Sequence, residues 1–120
     1  MDYAQKLLFI CSRNRIRSLT AEMIFRGLRG FDVRSAGTQP GARIVVSEKH
    51  IQWADIIFVM ERSHQSRLES RFADALAEKV VVVLQVPDVY DLMEPDLVSE
   101  IWHKVAEHIP LPQRDPIPMP

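Results

Sequence analysis

One short stretch of this chain has the residue types to attack phosphate: Cys11-Ser12-Arg13-Asn14-Arg15-Ile16-Arg17-Ser18. A thiolate is a strong nucleophile. Six residues on, the planar guanidinium of Arg17 can grip two oxygens of one phosphoryl group, which a lysine could not copy. The apolar run Leu7-Leu8-Phe9-Ile10 leads directly into the cysteine, and Ala21, Ile24, Phe25 and Leu28 follow at helical spacing. The local layout is therefore strand, tight loop, helix. A loop wrapping onto a helix N-terminus turns backbone N–H groups inward, where they attract anions and favour a thiolate over a thiol.

The elements that must position this loop alternate along the chain. Lys6–Ile10 reads as a strand and Leu19–Leu28 as a helix; Phe31–Ser35 is a short strand closed by Ala36-Gly37. Ser47 caps a brief helix through Trp53, with Glu48 in its first turn. Asp55–Met60 is a second apolar strand, and Ser63 is placed to cap a helix whose Leu68, Phe72 and Leu76 share a face. Lys79–Leu84 is a β-branched strand. Glu94-Pro95 opens the last helix, with Val98, Ile101, Trp102 and Val105 as its buried stripe. This alternation predicts an α/β fold: a four-stranded parallel sheet in the order 2-1-3-4, with right-handed crossovers and helices on both faces. Ligands bind such sheets beyond the strand carboxyl ends, so the loops after Ile10, Ser35, Met60 and Leu84 should converge on one site.

A chain of 120 residues supports one domain, expected over residues 1–109, followed by a proline-rich tail over 110–120. Five prolines in that tail rule out helix, and an extended, mobile segment is expected there. The net charge of −1 gives no reason to expect a nucleic-acid partner. No apolar run is long enough to span a bilayer and no secretory leader is evident, so no membrane association and a cytoplasmic location are expected. A lone cysteine cannot form an internal disulfide. His50, His64, His103 and His108 show no paired ligand spacing, so neither a metal nor another cofactor is expected. His64, on the Leu68 face of its helix, is expected to be packed or hydrogen-bonded. Trp53 and Trp102 suit packing.

The loop from Cys11 to Ser18 resembles the C-x5-R-S loop of the low-molecular-weight protein tyrosine phosphatases. Thr20-Ala21-Glu22, Arg34-Ser35-Ala36-Gly37-Thr38 and Ala54-Asp55-Ile56-Ile57-Phe58-Val59-Met60 extend the resemblance over roughly residues 6 to 108. It implies a cysteine-dependent phosphomonoesterase working through a cysteinyl-phosphate intermediate. Cys11 would be the nucleophile, and Arg17 the clamp on the phosphoryl oxygens. Ser18 would donate to the sulfur as it departs, although it could equally cap the helix. Asn14 would shape the loop, with Ser35 in its supporting network. Together Ser12, Arg13, Asn14, Arg15, Ile16 and Ser18 would bind the substrate phosphate. The family takes its general acid from an Asp-Pro-Tyr segment after the last strand. Here that segment reads Pro87-Asp88-Val89-Tyr90-Asp91, so Asp88 fits best and Asp91 is the alternative. Asp115-Pro116 lies in the tail and is set aside. Tyr90 would stand at the entrance and stack on an aromatic substrate ring.

Several positions depart from the family pattern. Arg13 stands where glycine is usual, Ile16 replaces a second cysteine that could protect Cys11, and Arg15 replaces Ile or Thr. The stretch between Thr38 and Ala54 is short, removing a segment that walls the cleft in larger relatives. Arg13 and Arg15 either coat the rim or face the ligand. Facing it, they favour a substrate more anionic than a lone phosphotyrosine, such as an acidic phosphopeptide or a polyphosphorylated small molecule. Competing readings are a phosphate-binding pseudophosphatase module, with the loop distorted by Arg13, and an arsenate reductase using an external thiol. A phosphotransfer subunit accepting phosphate on cysteine would have less need of Arg17 and a paired acid.

Overall fold

The strand that delivers Cys11 is the centre of the molecule. In the computed structural model, which describes residues 3–112, β1 (Gln5–Cys11) pairs in parallel with β2 (Phe31–Gly37) on one side and β3 (Ile56–Val59) on the other. β4 (Val80–Val83) adds outside β3, giving the all-parallel order β2-β1-β3-β4 that the alternation implied. Among the described residues four helices accompany the sheet: α1 (Arg17–Phe25), α2 (Glu48–Trp53), α3 (Arg62–Leu76) and α4 (Pro95–Ala106). Among the described residues, no helix is long and apolar enough to cross a membrane.

Leu7, Leu8, Phe9 and Ile10 are all buried because both sheet faces are covered, which explains an apolar run without alternation. Side chains of a strand still point alternately up and down. Leu7, Phe9 and Cys11 join Phe58 and the apolar stripes of α1 and α4, whereas Leu8 and Ile10 join Ile57, Val59 and the side chains of α2 and α3. On the first face the rings of Trp102, Phe25, Phe9 and Phe58 form a continuous stack, with centroids 5.5, 5.4 and 5.1 Å apart. Such pairs add about 0.5–1.5 kcal/mol each beyond simple burial, and through Phe9 they tie the strand carrying the thiol to α1 and β3. Trp53 packs partly on the other face beneath the Arg34 guanidinium, 4.3 Å from its ring centroid.

Several boundaries differ from expectation. β1 runs on to Cys11, making the cysteine the last strand residue. α1 starts at Arg17 and ends at Phe25; Leu28 follows in a turn but still packs in the same cluster. α3 starts earlier than a Ser63 cap would allow. Its N-cap is Glu61, extended at φ −143°, whose N–H donates to His64 Nδ1 at 3.0 Å and whose carbonyl accepts from the His64 N–H at 3.0 Å. This reciprocal pair lets the helix begin at Arg62, leaving Ser63 inside it. The proline-rich tail, with Asp115-Pro116, falls mostly outside the described residues, and 110–112 form neither helix nor strand.

Candidate active site

The loop between β1 and α1 is held from outside through its carbonyls. Those of Cys11, Ser12 and Arg13 accept from the N–H groups of Thr38, Gln39 and Arg43 at 3.0, 3.0 and 2.9 Å, and Asn14 O accepts from Arg43 Nε at 3.1 Å. With its carbonyls turned outward, the loop turns its N–H groups inward. Only the N–H of Asn14 finds a protein acceptor there, Cys11 Sγ at 3.3 Å; among the described residues those of Ser12, Arg13, Arg15, Ile16 and Arg17 have none. The first turn of α1 adds to this concave donor surface, because its N-cap, Ile16, has no side-chain acceptor to offer. Ser18 therefore lies inside the helix and does not cap it.

Asn14 makes the turn possible. Its φ of 57° is left-handed, a conformation asparagine tolerates better than most residues. Its buried amide Nδ2 donates to Ser18 Oγ at 2.7 Å and to Ser35 Oγ at 2.8 Å, while Ser35 Oγ donates to Glu22 Oε1 at 2.6 Å. The carboxylate of Glu22 can only accept, so Ser35 must accept from Asn14 and the amide orientation is settled. Ser18, having accepted from Asn14, turns its own proton to Cys11 Sγ at 3.0 Å in preference to Ala36 O at 3.5 Å. Two donors thus converge on the sulfur. Arg13, in the position usually held by glycine, has no left-handed φ and causes no backbone distortion.

Arg17 is buried, and its guanidinium is fixed at one end. Nη1 donates to Glu61 and to Val86 O at 2.9 Å, and Nε lies 3.7 Å from Asp88 Oδ1. Val86 reaches this point because β3 and β4 stay paired past their ends, through Leu84 N–H to Val59 O and Val86 N–H to Met60 O. The hydrogen bond from Arg17 holds the Glu61 carboxyl below the ordinary glutamate range. Glu61 was not among the residues singled out from the sequence.

A cleft of about 280 Å³ opens over Cys11. Ser12, Arg13, Arg15, Ile16 and Arg17 line it from the loop, with Gln39 and Asp88 opposite. Among the described residues, no group of three His, Cys, Asp or Glu side chains could hold a metal ion. Asp91 is not in the cleft wall; it is exposed, and its N–H donates to Glu94 Oε1 at 3.1 Å. Tyr90 does not line the cleft either. Its hydroxyl donates to Glu100 Oε1 at 2.5 Å, a bond that pushes the phenol up to about 12, and its ring packs against the first apolar cluster. An acceptor offered by α4 thus draws the tyrosine away from the cleft.

No protein-family model matches the chain, and no curated protein matches it. Solved structures do. The YwlE arginine phosphatase from Geobacillus stearothermophilus aligns over 86% of this chain and 91% of its own, at 20% identity and a TM-score of 0.65. A low-molecular-weight phosphotyrosine phosphatase from Vibrio cholerae O395 aligns over 87% and 94%, at 20% identity and 0.69. The tyrosine phosphatase Wzb from Escherichia coli K30, in complex with phosphate, aligns over 87% and 95%, at 18% identity and 0.71. The chain thus has the fold of the low-molecular-weight tyrosine phosphatases.

Proposed function

We propose that this chain is a cysteine-dependent phosphomonoesterase of the low-molecular-weight tyrosine phosphatase type. The carrying observation is that Cys11 Sγ receives hydrogen bonds from Ser18 and Asn14 inside a loop of inward N–H groups, in the same cleft as Arg17. Arg17 has one nitrogen tied to Glu61 and Val86, so its remaining donors are free to clamp two equatorial phosphoryl oxygens. The sulfur attacks phosphorus in line: the S–P bond forms as the bond from phosphorus to the leaving oxygen breaks. Asp88 gives that oxygen its proton. Water then attacks the cysteinyl phosphate, Asp88 takes the water's proton, and the S–P bond breaks to return the thiolate, to which Ser18 donates.

The substrate class supported is a phosphorylated protein or an anionic small-molecule phosphate, handled without metal or other cofactor. A reducing cytoplasm suits a chain with one unpaired, catalytically required thiol. Assays with aryl phosphates of graded leaving-group pKa test the reading. Cys11→Ser should lose at least about a thousandfold in turnover while still binding phosphate. Asp88→Asn should slow poor leaving groups more than good ones, and Asp91→Asn should not. An intact protein that binds phosphate without turning over any ester would make it a binding module instead.

A further inference from the structure

We propose that the cleft takes a compact, non-aromatic phosphomonoester carrying a second phosphate, with Arg17 on the scissile group and Arg13 and Arg15 on the other. This rests on the phosphatase reading above and narrows its substrate. Arg13 and Arg15 share the cleft with Cys11, and both are exposed. Among the described residues neither has a carboxylate within 4.0 Å, whereas Arg26 and Arg43 each have one and Arg17 has two. Arg17 is neutralised by Glu61, and its Nε is approached by Asp88 at 3.7 Å. Arg13 and Arg15 therefore carry the unpaired guanidinium charges of the cleft, open to an anion other than the one on Arg17.

Arg13 and Arg15 flank Asn14, whose side chain is buried, so their Cα atoms are at most about 7 Å apart. Both line the cleft that holds Cys11 and Arg17, so an anion bound to them shares that cleft of about 280 Å³ with the first. A phosphotyrosine holds its phosphorus at the end of a long, rigid ring, far from flanking carboxylates. Among the described residues no aromatic side chain lines the cleft to receive that ring, and Tyr90 is bound to Glu100. Guanidinium forks match phosphate oxygens in pairs, which suits a second phosphoryl group.

Two measurements decide this. In turnover, fructose 1,6-bisphosphate should exceed fructose 6-phosphate and p-nitrophenyl phosphate in kcat/KM by at least about tenfold. Arg15→Ile or Arg13→Gly should cut the bisphosphate value at least about fivefold more than the aryl phosphate value. In calorimetry on Cys11→Ser, pyrophosphate should bind at least about tenfold tighter than phosphate, and Arg15→Ile should abolish that advantage. Equal use of mono- and bisphosphates, or pyrophosphate binding no tighter than phosphate, overturns the proposal. So does an equal dependence on Arg13 and Arg15 for a phosphotyrosine peptide flanked by glutamates. Loss of the phosphatase reading would look different: no ester turned over at all, with the pyrophosphate preference still measurable.

Discussion

Ser12 Oγ and His64 Nε2 stand 2.9 Å apart, and the imidazole is the donor. Its other nitrogen, Nδ1, accepts the Glu61 N–H at 3.0 Å, so the single proton of a neutral ring must be on Nε2. The imidazole thus cannot act as a base toward Ser12. Because it only accepts from the imidazole, the Ser12 hydroxyl keeps its own proton for a ligand, and no other protein group competes for it among the described residues. A merely packed histidine would leave that hydroxyl free to rotate. Nitrogen NMR should find the Nε2–H tautomer at neutral pH; an Nδ1–H ring would refute the assignment.

The same histidine gives the fold a pH dependence. Burial, aided by the nearby Arg17 charge, lowers its pKa from 6.5 to about 4. Between those values the unfolded chain binds a proton here that the folded chain does not, so stability present above pH 6.5 is lost as pH falls toward 4. The loss should total about 3 kcal/mol. His64→Phe should be less stable than the parent at pH 7 by about 2 kcal/mol, since it strands Ser12 Oγ and the Glu61 N–H. That deficit should shrink as pH falls and reverse before pH 4 in urea titrations. Parallel profiles for the two proteins would show that His64 does not titrate on unfolding.

Glu61 should act through Arg17. The carboxylate sets the plane of the guanidinium, yet its negative charge also opposes an incoming phosphate. Glu61→Gln removes the charge and loosens the alignment, so the two effects separate. Inorganic phosphate should bind no more weakly, while kcat falls by about tenfold. A rise in KM with kcat unchanged would mean that Glu61 contributes to substrate binding and not to orientation. Because the Arg17 hydrogen bond lowers the Glu61 pKa, the pair should persist down through the ordinary glutamate range and break only in stronger acid.

What was legible in the sequence and what was not divide along sequence distance. The β1–loop–α1 unit could be read locally, since an apolar run, a cysteine and a helical stripe follow one another within about twenty residues. Asp88 was legible as a cleft residue: it is the first acid after a β-branched strand, and it lines the wall. Glu61 and His64 were not identified as site residues, because their roles exist only across 44 and 52 residues of sequence. A signal was present: Glu61 lies two residues past β3, where loops should converge on the ligand, and Glu-x-x-His sits at the spacing of a capping box. Tyr90 was misplaced for the opposite reason. Its position after the strand was correct, but left-handed turns at Gln85 and Met93 bracket the segment, and Glu100 offers a hydroxyl acceptor no linear reading reveals.

Asn14 should separate backbone strain from hydrogen bonding. Asn14→Ala loses the donors to Ser18 and Ser35 and forces alanine into a left-handed conformation, costing about 3 kcal/mol in all. Asn14→Gly loses the same bonds without the strain, and should be about 1 kcal/mol less damaging. Both variants should also lose activity, because Ser18 would no longer be directed at Cys11 Sγ. Equal stability of the two in denaturant titrations would mean that the φ of 57° carries no cost here.

Gly37 tests how closely the loop is held. A Cβ built there would stand 2.6 Å from Ser12 O and 2.6 Å from Ala42 Cβ, far inside contact distance. Ser12 O cannot easily yield, since it is backbone and accepts the Gln39 N–H, while Gly37 is itself bonded to Ile44 and Val46. Gly37→Ala must therefore displace the residue next to the nucleophile. Overpacking of this kind costs about 1–3 kcal/mol, which a stably folded chain can survive. Activity should suffer more than folding, with kcat/KM down by about a hundredfold, because a small misplacement of reacting atoms is costly. Gly41→Ala is the control: its added Cβ meets nothing within 4 Å. If Gly37→Ala keeps full activity while Gly41→Ala behaves like the parent, the contact between β2 and the phosphate loop does not position Cys11.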